Sequence, residues 1–281
     1  MKVPVRRDTW DLDLAAIEAA ITERTRMVIV NSPNNPTGRI YPPETLERLG
    51  EILRAASGRN GRAVYLLSDE SYSRIVYDGR DFPTPTRFYA DSFLIYTYGK
   101  TLLTPGTRVG YVALPPEMPE REEMRGALFL SSVANGWQFP NAVALHALPD
   151  FEHLSIDIPQ LQRRRDKVVP ALQEAGYETH SPEGTFYLLV KAPWENDLAF
   201  TELLAEQDVF VLPGSLIDSP GYFRVSLTAS DEMVERGLPG FAAAMEKAKA
   251  TTEPPKSEMA GVGTTRTTPS PGPQSGPACF A

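Results

Sequence analysis

"YTYGKTLLTPGTRVGYVAL", residues 96–114, decides how the first half of the chain is read. Both of its ends are apolar, and Phe93-Leu94-Ile95 stands just before it, so each end reads as a buried strand. Between them, Lys100 follows a glycine and Arg108 follows Pro105-Gly106-Thr107. Partial desolvation at a strand end favours the neutral form of an amine, which is nucleophilic toward a carbonyl. The planar fork of an arginine suits phosphate or carboxylate. The pair is suggestive, because a single strand-end lysine is usually a surface group.

Outward from this stretch, helical and strand patterns alternate. Leu14, Ile17 and Ile21 mark one stripe of a helix, and "MVIVNS" (27–32) follows as a short apolar strand. "PPETLERLGEILRAAS" (42–57) predicts a helix opened by prolines and closed by Gly58. "AVYLLSDE" (63–70), "SFLIYTY" (92–98) and "RVGYVAL" (108–114) complete a set of continuous apolar strands. Such runs suit a sheet covered on both faces by helices. The expected fold is α/β: a partial, mostly parallel sheet flanked by helices over 1–150, then a smaller α+β domain over 151–250. The segment 251–281 is rich in Pro, Thr, Ser and Gly and is expected to be disordered.

Composition excludes several classes. The chain has 281 residues, 42% hydrophobic and 23% charged, as in a soluble globular protein. A net charge of -8 without a basic stripe argues against nucleic acid. Arg163-Arg164-Arg165 reads as a solvated helix face. One cysteine, Cys279, forms no internal disulfide, and His146, His153 and His180 are not at metal-ligand spacing, so no metal is expected. No apolar run approaches membrane-spanning length, and a cytoplasmic location is the default.

Further features stand at the C-terminal ends of strands, where open α/β sheets place ligands. "NSPNNPTG" (31–38) follows the first strand; alone it reads as well as a connecting loop. "SDESY" (68–72) follows the next, with Asp69 readable as a cap and Tyr72 as core. In "YFRVSLTAS" (222–230), Arg224 sits mid-strand among apolar residues. It makes an internal ion pair or receives an anionic ligand, and the sequence leaves the two even.

Taken together and in this order, Asn-Pro-Thr-Gly, Asp-x-x-Tyr, the strand-end lysine with its arginine, and the late arginine resemble the class I/II aminotransferases. These are fold-type I pyridoxal-phosphate enzymes, similar to aspartate aminotransferase. The resemblance covers residues 1–250. It implies that Lys100 forms the Schiff base with pyridoxal 5′-phosphate and shuttles the substrate proton. It implies that Asp69 faces the pyridine nitrogen, Asn35 and Tyr72 the ring oxygen, Thr97 and Arg108 the phosphate, and Arg224 the substrate carboxylate. The implied activity is transfer of an amino group between an amino acid and a 2-oxo acid in a homodimer. The alternatives are another reaction on the same cofactor (decarboxylase, lyase, cyclase or oxidase) or a non-catalytic remnant that serves as an interaction module.

"PEGTFYLLV" (182–190) and "VLPGSLID" (211–218) resemble segments near the substrate but read equally well as hairpin and strand. The resemblance also implies an N-terminal portion, with a phosphate loop and a stacking aromatic, that has no counterpart here. Its absence would leave sheet edge and apolar surface exposed; a truncated start, a split enzyme or a diverged protein would each account for it, and a complementary N-terminal chain is the expected partner only of a split enzyme.

Overall fold

The computed structural model describes residues 1–251, so the expected disordered tail lies, beyond Thr251, outside the described residues. The first half is built on strands β1 (Met27–Asn31), β2 (Tyr65–Asp69), β3 (Ser92–Thr97) and β4 (Gly110–Ala113), hydrogen-bonded in that order. β1, β2 and β3 run parallel and β4 antiparallel to β3, with Asn31 level with Asp69, Asp69 with Ile95, and Thr97 with Gly110. This register brings the chemistry-bearing ends of the parallel strands to one edge of the sheet.

Helices α1 (Leu14–Ala20) and α2 (Pro43–Asn60) cover one face. Ile17, Leu46, Leu49 and Leu53 pack there with Val30 and Leu66. α2 runs past Gly58 and ends at Gly61, whose φ of 62° gives the left-handed cap that a β-carbon would strain.

The opposite face departs from the expectation of a sheet covered on both sides. Ile29 on β1 is 67% exposed and Val112 on β4 is 49% exposed. Among the described residues nothing packs over them, although "MVIV" has the continuous apolar character of a doubly buried strand.

After β3 comes a single turn of helix, α3 (Tyr98–Thr101), and after β4 the helices α4 (Arg121–Ala134), α5 (Ala142–His146) and α6 (Leu148–Phe151). α4 buries none of its residues, and Phe129, Leu130, Trp137 and Phe139 are exposed around it.

The second half packs α7 (Ile158–Glu174), α8 (Asp197–Ala205) and α9 (Asp231–Ala250) on an antiparallel sheet. Its strands are β5 (Tyr187–Lys191), β6 (Leu212–Pro213) and β7 (Tyr222–Ser226), with β7 central. Leu172, Leu188, Phe200, Phe223 and Phe241 form its core. The stretch 211–218, which reads equally as hairpin or strand, holds a strand only at Leu212–Pro213 and then a 3-10 turn, Gly214–Ile217.

Arg165 corrects the reading of the arginine run as a solvated face. The buried stripe of α7 passes through Leu161, Arg165, Val168 and Leu172, at helical spacing. The Arg165 guanidinium is 4% exposed and donates to both oxygens of Asp78 at 2.8 and 2.6 Å, to Asp166, and to the Pro182 carbonyl. It therefore ties α7 to the turn after β2 and to the segment before β5.

The halves meet most closely around that segment. Gly38 accepts from the backbone N–H groups of Glu183 and Gly184, and Thr185 and Tyr77 bond the 183–185 stretch to the chain after β2. A β-carbon at Gly184 would lie 2.7 Å from the Ile75 carbonyl and 2.8 Å from Pro33. Gly184→Ala is therefore expected to cost about 1–3 kcal/mol, read as a lower denaturant midpoint at unchanged slope.

Glu70, next to Asp69, is buried and accepts from Ser68 Oγ and Thr84 Oγ1, with no ion pair among the described residues. Burial, eased by those two hydroxyls, pushes its carboxyl above the usual range. A folded-state pKa above the unfolded one stabilises at low pH, and that contribution is lost as pH rises through the raised value. Glu70→Gln is expected to flatten this dependence and to gain stability relative to wild type as pH rises above the ordinary carboxylate range. Paired denaturant titrations across that range check it.

Candidate active site

The loop after β1 is held from within and from outside. Asn31 Oδ1 accepts from the Asn35 N–H at 2.7 Å, and Asn34 Oδ1 accepts from Thr37 Oγ1 at 2.8 Å. The Ser32-Pro33 and Asn35-Pro36 peptide bonds are both cis. From the other half of the molecule, Glu183 accepts from the Ile40 N–H and from Arg39. His180 donates to the Thr37 carbonyl at 2.6 Å while stacked on Trp10. Burial depresses the imidazole below its ordinary value and keeps it neutral in this role.

Asp69 is the last residue of β2. Its carboxylate accepts from the Ser71 N–H and hydroxyl at 3.1 and 2.6 Å, so it does cap a turn, as one reading of the sequence had it. No salt bridge reaches it among the described residues. Tyr72, one turn on, is buried, and its hydroxyl makes no hydrogen bond among the described residues. Burial, and then the neighbouring Tyr187 phenol, push the Tyr72 phenol up, partly countered by Arg224, so it remains a protonated donor.

Thr97 ends β3 and caps the single turn α3, accepting from the Gly99 N–H. That turn raises Lys100 to the same sheet edge, with Nζ 5.4 Å from the centre of the Tyr72 ring. Lys100 is half-buried and makes no ion pair among the described residues. Arg108 approaches from the start of β4 in a left-handed backbone conformation, φ 53°. It is exposed and donates weakly to the Pro105 carbonyl.

Arg224 comes from the other sheet. Central on β7, it donates through Nη1 to Asn35 Oδ1 at 3.0 Å. No carboxylate lies within ion-pair distance of it among the described residues, which disposes of the internal ion pair that the sequence left open. Its Cζ lies 3.8 Å over the centre of the Tyr187 ring. Tyr187 in turn meets Tyr72 edge-on at 6.0 Å and Phe186 at 4.8 Å.

Contacts thus run from Lys100 through Tyr72, Tyr187 and Arg224 to Asn35. Asp69 lies close enough to add to the upward push on the Tyr72 phenol. Thr97 and Arg108 join the cluster by position along β3 and β4, without a contact to it. Tyr187 was left out of the sequence-based set; its signal was a place at the start of a strand whose partner carries the arginine. A cavity of about 490 Å³ bounded by Phe210, Val225, Met233 and Phe241 holds none of these residues.

The sum is an amine and a guanidinium at the edge of the first sheet, a second guanidinium from β7, none with a carboxylate partner among the described residues, a carboxylate held by Ser71, and a buried phenol. The cations suit an anionic ligand, and the buried phenol one that accepts a hydrogen bond.

Comparison with known proteins agrees. The family model for aminotransferase class I and II matches residues 1–240. A probable aspartate/prephenate aminotransferase of Aquifex aeolicus is 30% identical over 262 residues, covering 88% of this chain and 64% of that protein. The aspartate/prephenate aminotransferase of Thermus thermophilus is 31% identical, covering 84% and 60%. An aminotransferase structure from Eubacterium rectale superposes with a TM-score of 0.83 at 33% identity, covering 88% of this chain and 62% of that one. The chain therefore spans rather less than two thirds of the length of these relatives. With the family model matched over residues 1–240, it belongs to the aminotransferase class I and II family.

Proposed function

We propose that the chain works with pyridoxal 5′-phosphate to move an amino group between an amino acid and a 2-oxo acid. Members of the family use this cofactor. The residues present fit its ring end. The unpartnered Tyr72 hydroxyl is a buried donor in want of an acceptor, which the ring oxygen supplies. Asn35 has its Nδ2 available for the same oxygen, since its Oδ1 serves Arg224. Asp69 would hold the ring nitrogen, and Thr97 with Arg108 the phosphate.

Bound there, the cofactor supplies an electron sink for the charge that develops at the substrate Cα. The chain's own residues do the rest. Lys100 Nζ is the covalent anchor and, once displaced by the substrate amine, the base that moves the Cα proton. Asp69 keeps the ring nitrogen protonated, because a carboxylate beside a base favours the charged form. Arg224 receives the α-carboxylate and so orients the bonds at Cα.

The observation that carries the reading is Arg224. A half-buried guanidinium without a carboxylate partner among the described residues, bonded to the Asn35 side chain, is open to an anion at the far end of the contacts that begin at the lysine. The test is to add pyridoxal 5′-phosphate, reduce with borohydride, and map the labelled peptide. Label on Lys100, with 2-oxo acid formed from aspartate or with prephenate as acceptor, supports the proposal. Scattered label sinks it, and release of carbon dioxide or ammonia in place of transamination replaces it by one of the alternative reactions. A homodimer and a cytoplasmic setting belong to the same proposal, and sedimentation of the purified chain tests the former. No described helix is long and apolar enough to cross a membrane.

A further inference from the structure

Arg224 is constrained in an unusual way for a half-buried cation. No ion pair orients it among the described residues, and its one hydrogen bond, Nη1 to Asn35 Oδ1, leaves the guanidinium free to tilt about that contact. A second constraint comes from β5. Leu189 pairs with Arg224 and Tyr187 with Ser226, so Tyr187 is the diagonal cross-strand neighbour of Arg224 on the same side of the sheet. The arginine rises over Leu189 and lies on the Tyr187 ring, with Cζ 3.8 Å from its centre, which is van der Waals contact with the ring face.

The ring is itself fixed. Its backbone N–H is bonded to Thr185 Oγ1 at 3.1 Å, and its edge is met by Tyr72 and Phe186 at steep angles of 70° and 63°. A planar cation on a fixed ring face has its plane set by that face. One hydrogen bond and one stacking surface together fix the fork that a carboxylate must meet edge-on.

We propose that Tyr187 is a positioning residue of the carboxylate site, with its ring face setting the plane in which Arg224 takes the substrate carboxylate. The inference rests on the reading of Arg224 as the carboxylate receptor. It requires the ring and makes no use of the hydroxyl, and it places the effect of Tyr187 on binding, for the amino acid and the 2-oxo acid alike.

The experiment compares wild type with Tyr187→Phe and Tyr187→Leu, each loaded with pyridoxal 5′-phosphate. Tyr187→Leu is expected to raise KM for both substrates about tenfold, the scale of one partly desolvated cation–π contact, with a smaller drop in kcat and cofactor absorbance little changed. Tyr187→Phe is expected to behave as wild type. A second readout is independent of turnover: phenylglyoxal modification of Arg224, followed by peptide mass, should run several-fold faster in the Leu variant and at the wild-type rate in the Phe variant. Should the Leu variant fail to fold, Tyr187→Met fills similar space without a ring face and carries the same expectations.

Unchanged KM and labelling in the Leu or Met variant would overturn the proposal. So would a Phe variant as impaired as Leu, since the hydroxyl would then be the working group. A wild-type chain without transaminase activity would remove the proposed function, and the labelling rates would still decide the role of Tyr187.

Discussion

Lys100→Ala is expected to lower transamination by about four orders of magnitude, the loss that follows when an anchoring nucleophile and a proton-transfer base are one group. The structure makes Lys100 hard to replace. Nζ stands 5.4 Å from the Tyr72 ring centre on a one-turn helix capped by Thr97, and no other lysine among the described residues is placed against that ring. The variant should fold as wild type, because Lys100 makes no hydrogen bond or ion pair among the described residues that its loss would break. Two measurements check this. Borohydride reduction should leave no cofactor on the peptide that contains residue 100, and the melting temperature should be unchanged. Wild-type label retained in the variant would move the anchor elsewhere.

Arg224→Ala is the other large effect. A charge-assisted, partly desolvated contact is lost from the substrate carboxylate, and kcat/KM should fall by about 10²- to 10³-fold. KM should carry much of the loss, with a further drop in kcat because the carboxylate also fixes the orientation of the Cα bonds. Arg224→Lys should recover little, since a compact ammonium offers neither the fork nor the flat face that rests on Tyr187. Steady-state kinetics with an amino acid and with the matching amine that lacks the carboxylate separate the effects. The amine should be indifferent to the substitution, and equal losses for both would assign Arg224 a structural role.

Much of this arrangement was legible in the sequence because it follows from local rules. Asn35, Asp69 and Thr97 each lie at or just beyond the end of an apolar run, and parallel strands in register carry such ends to one edge. Lys100 was read as a strand-end lysine, and the structure sets it one helical turn beyond Thr97. Arg224 stood out as a charge in an apolar strand, although its companion did not.

What was hidden depends on pairing between distant segments. Tyr187 becomes the floor under Arg224 only through the register of β5 and β7. The solvated reading of Arg165 failed because three consecutive arginines hide a helical stripe that only the packing of α7 selects. The bare face at Ile29 contradicts the strand pattern, since an apolar run records what a strand prefers to bury and says nothing of what arrives to cover it.

The close junction of Gly38, Pro182 and Gly184 has a consequence for anyone who would alter this site. A β-carbon at Gly38 would stand 2.3 Å from that of Pro182, so the two loops fit as a matched pair of surfaces. One loop carries Asn35 and the other leads directly into Tyr187, so the pair together aims Arg224. Residues 31–40 and 180–187 are thus a single transplantable cassette. A chimera that takes one loop from a relative and keeps the other would misdirect the guanidinium before any residue that touches substrate had been changed.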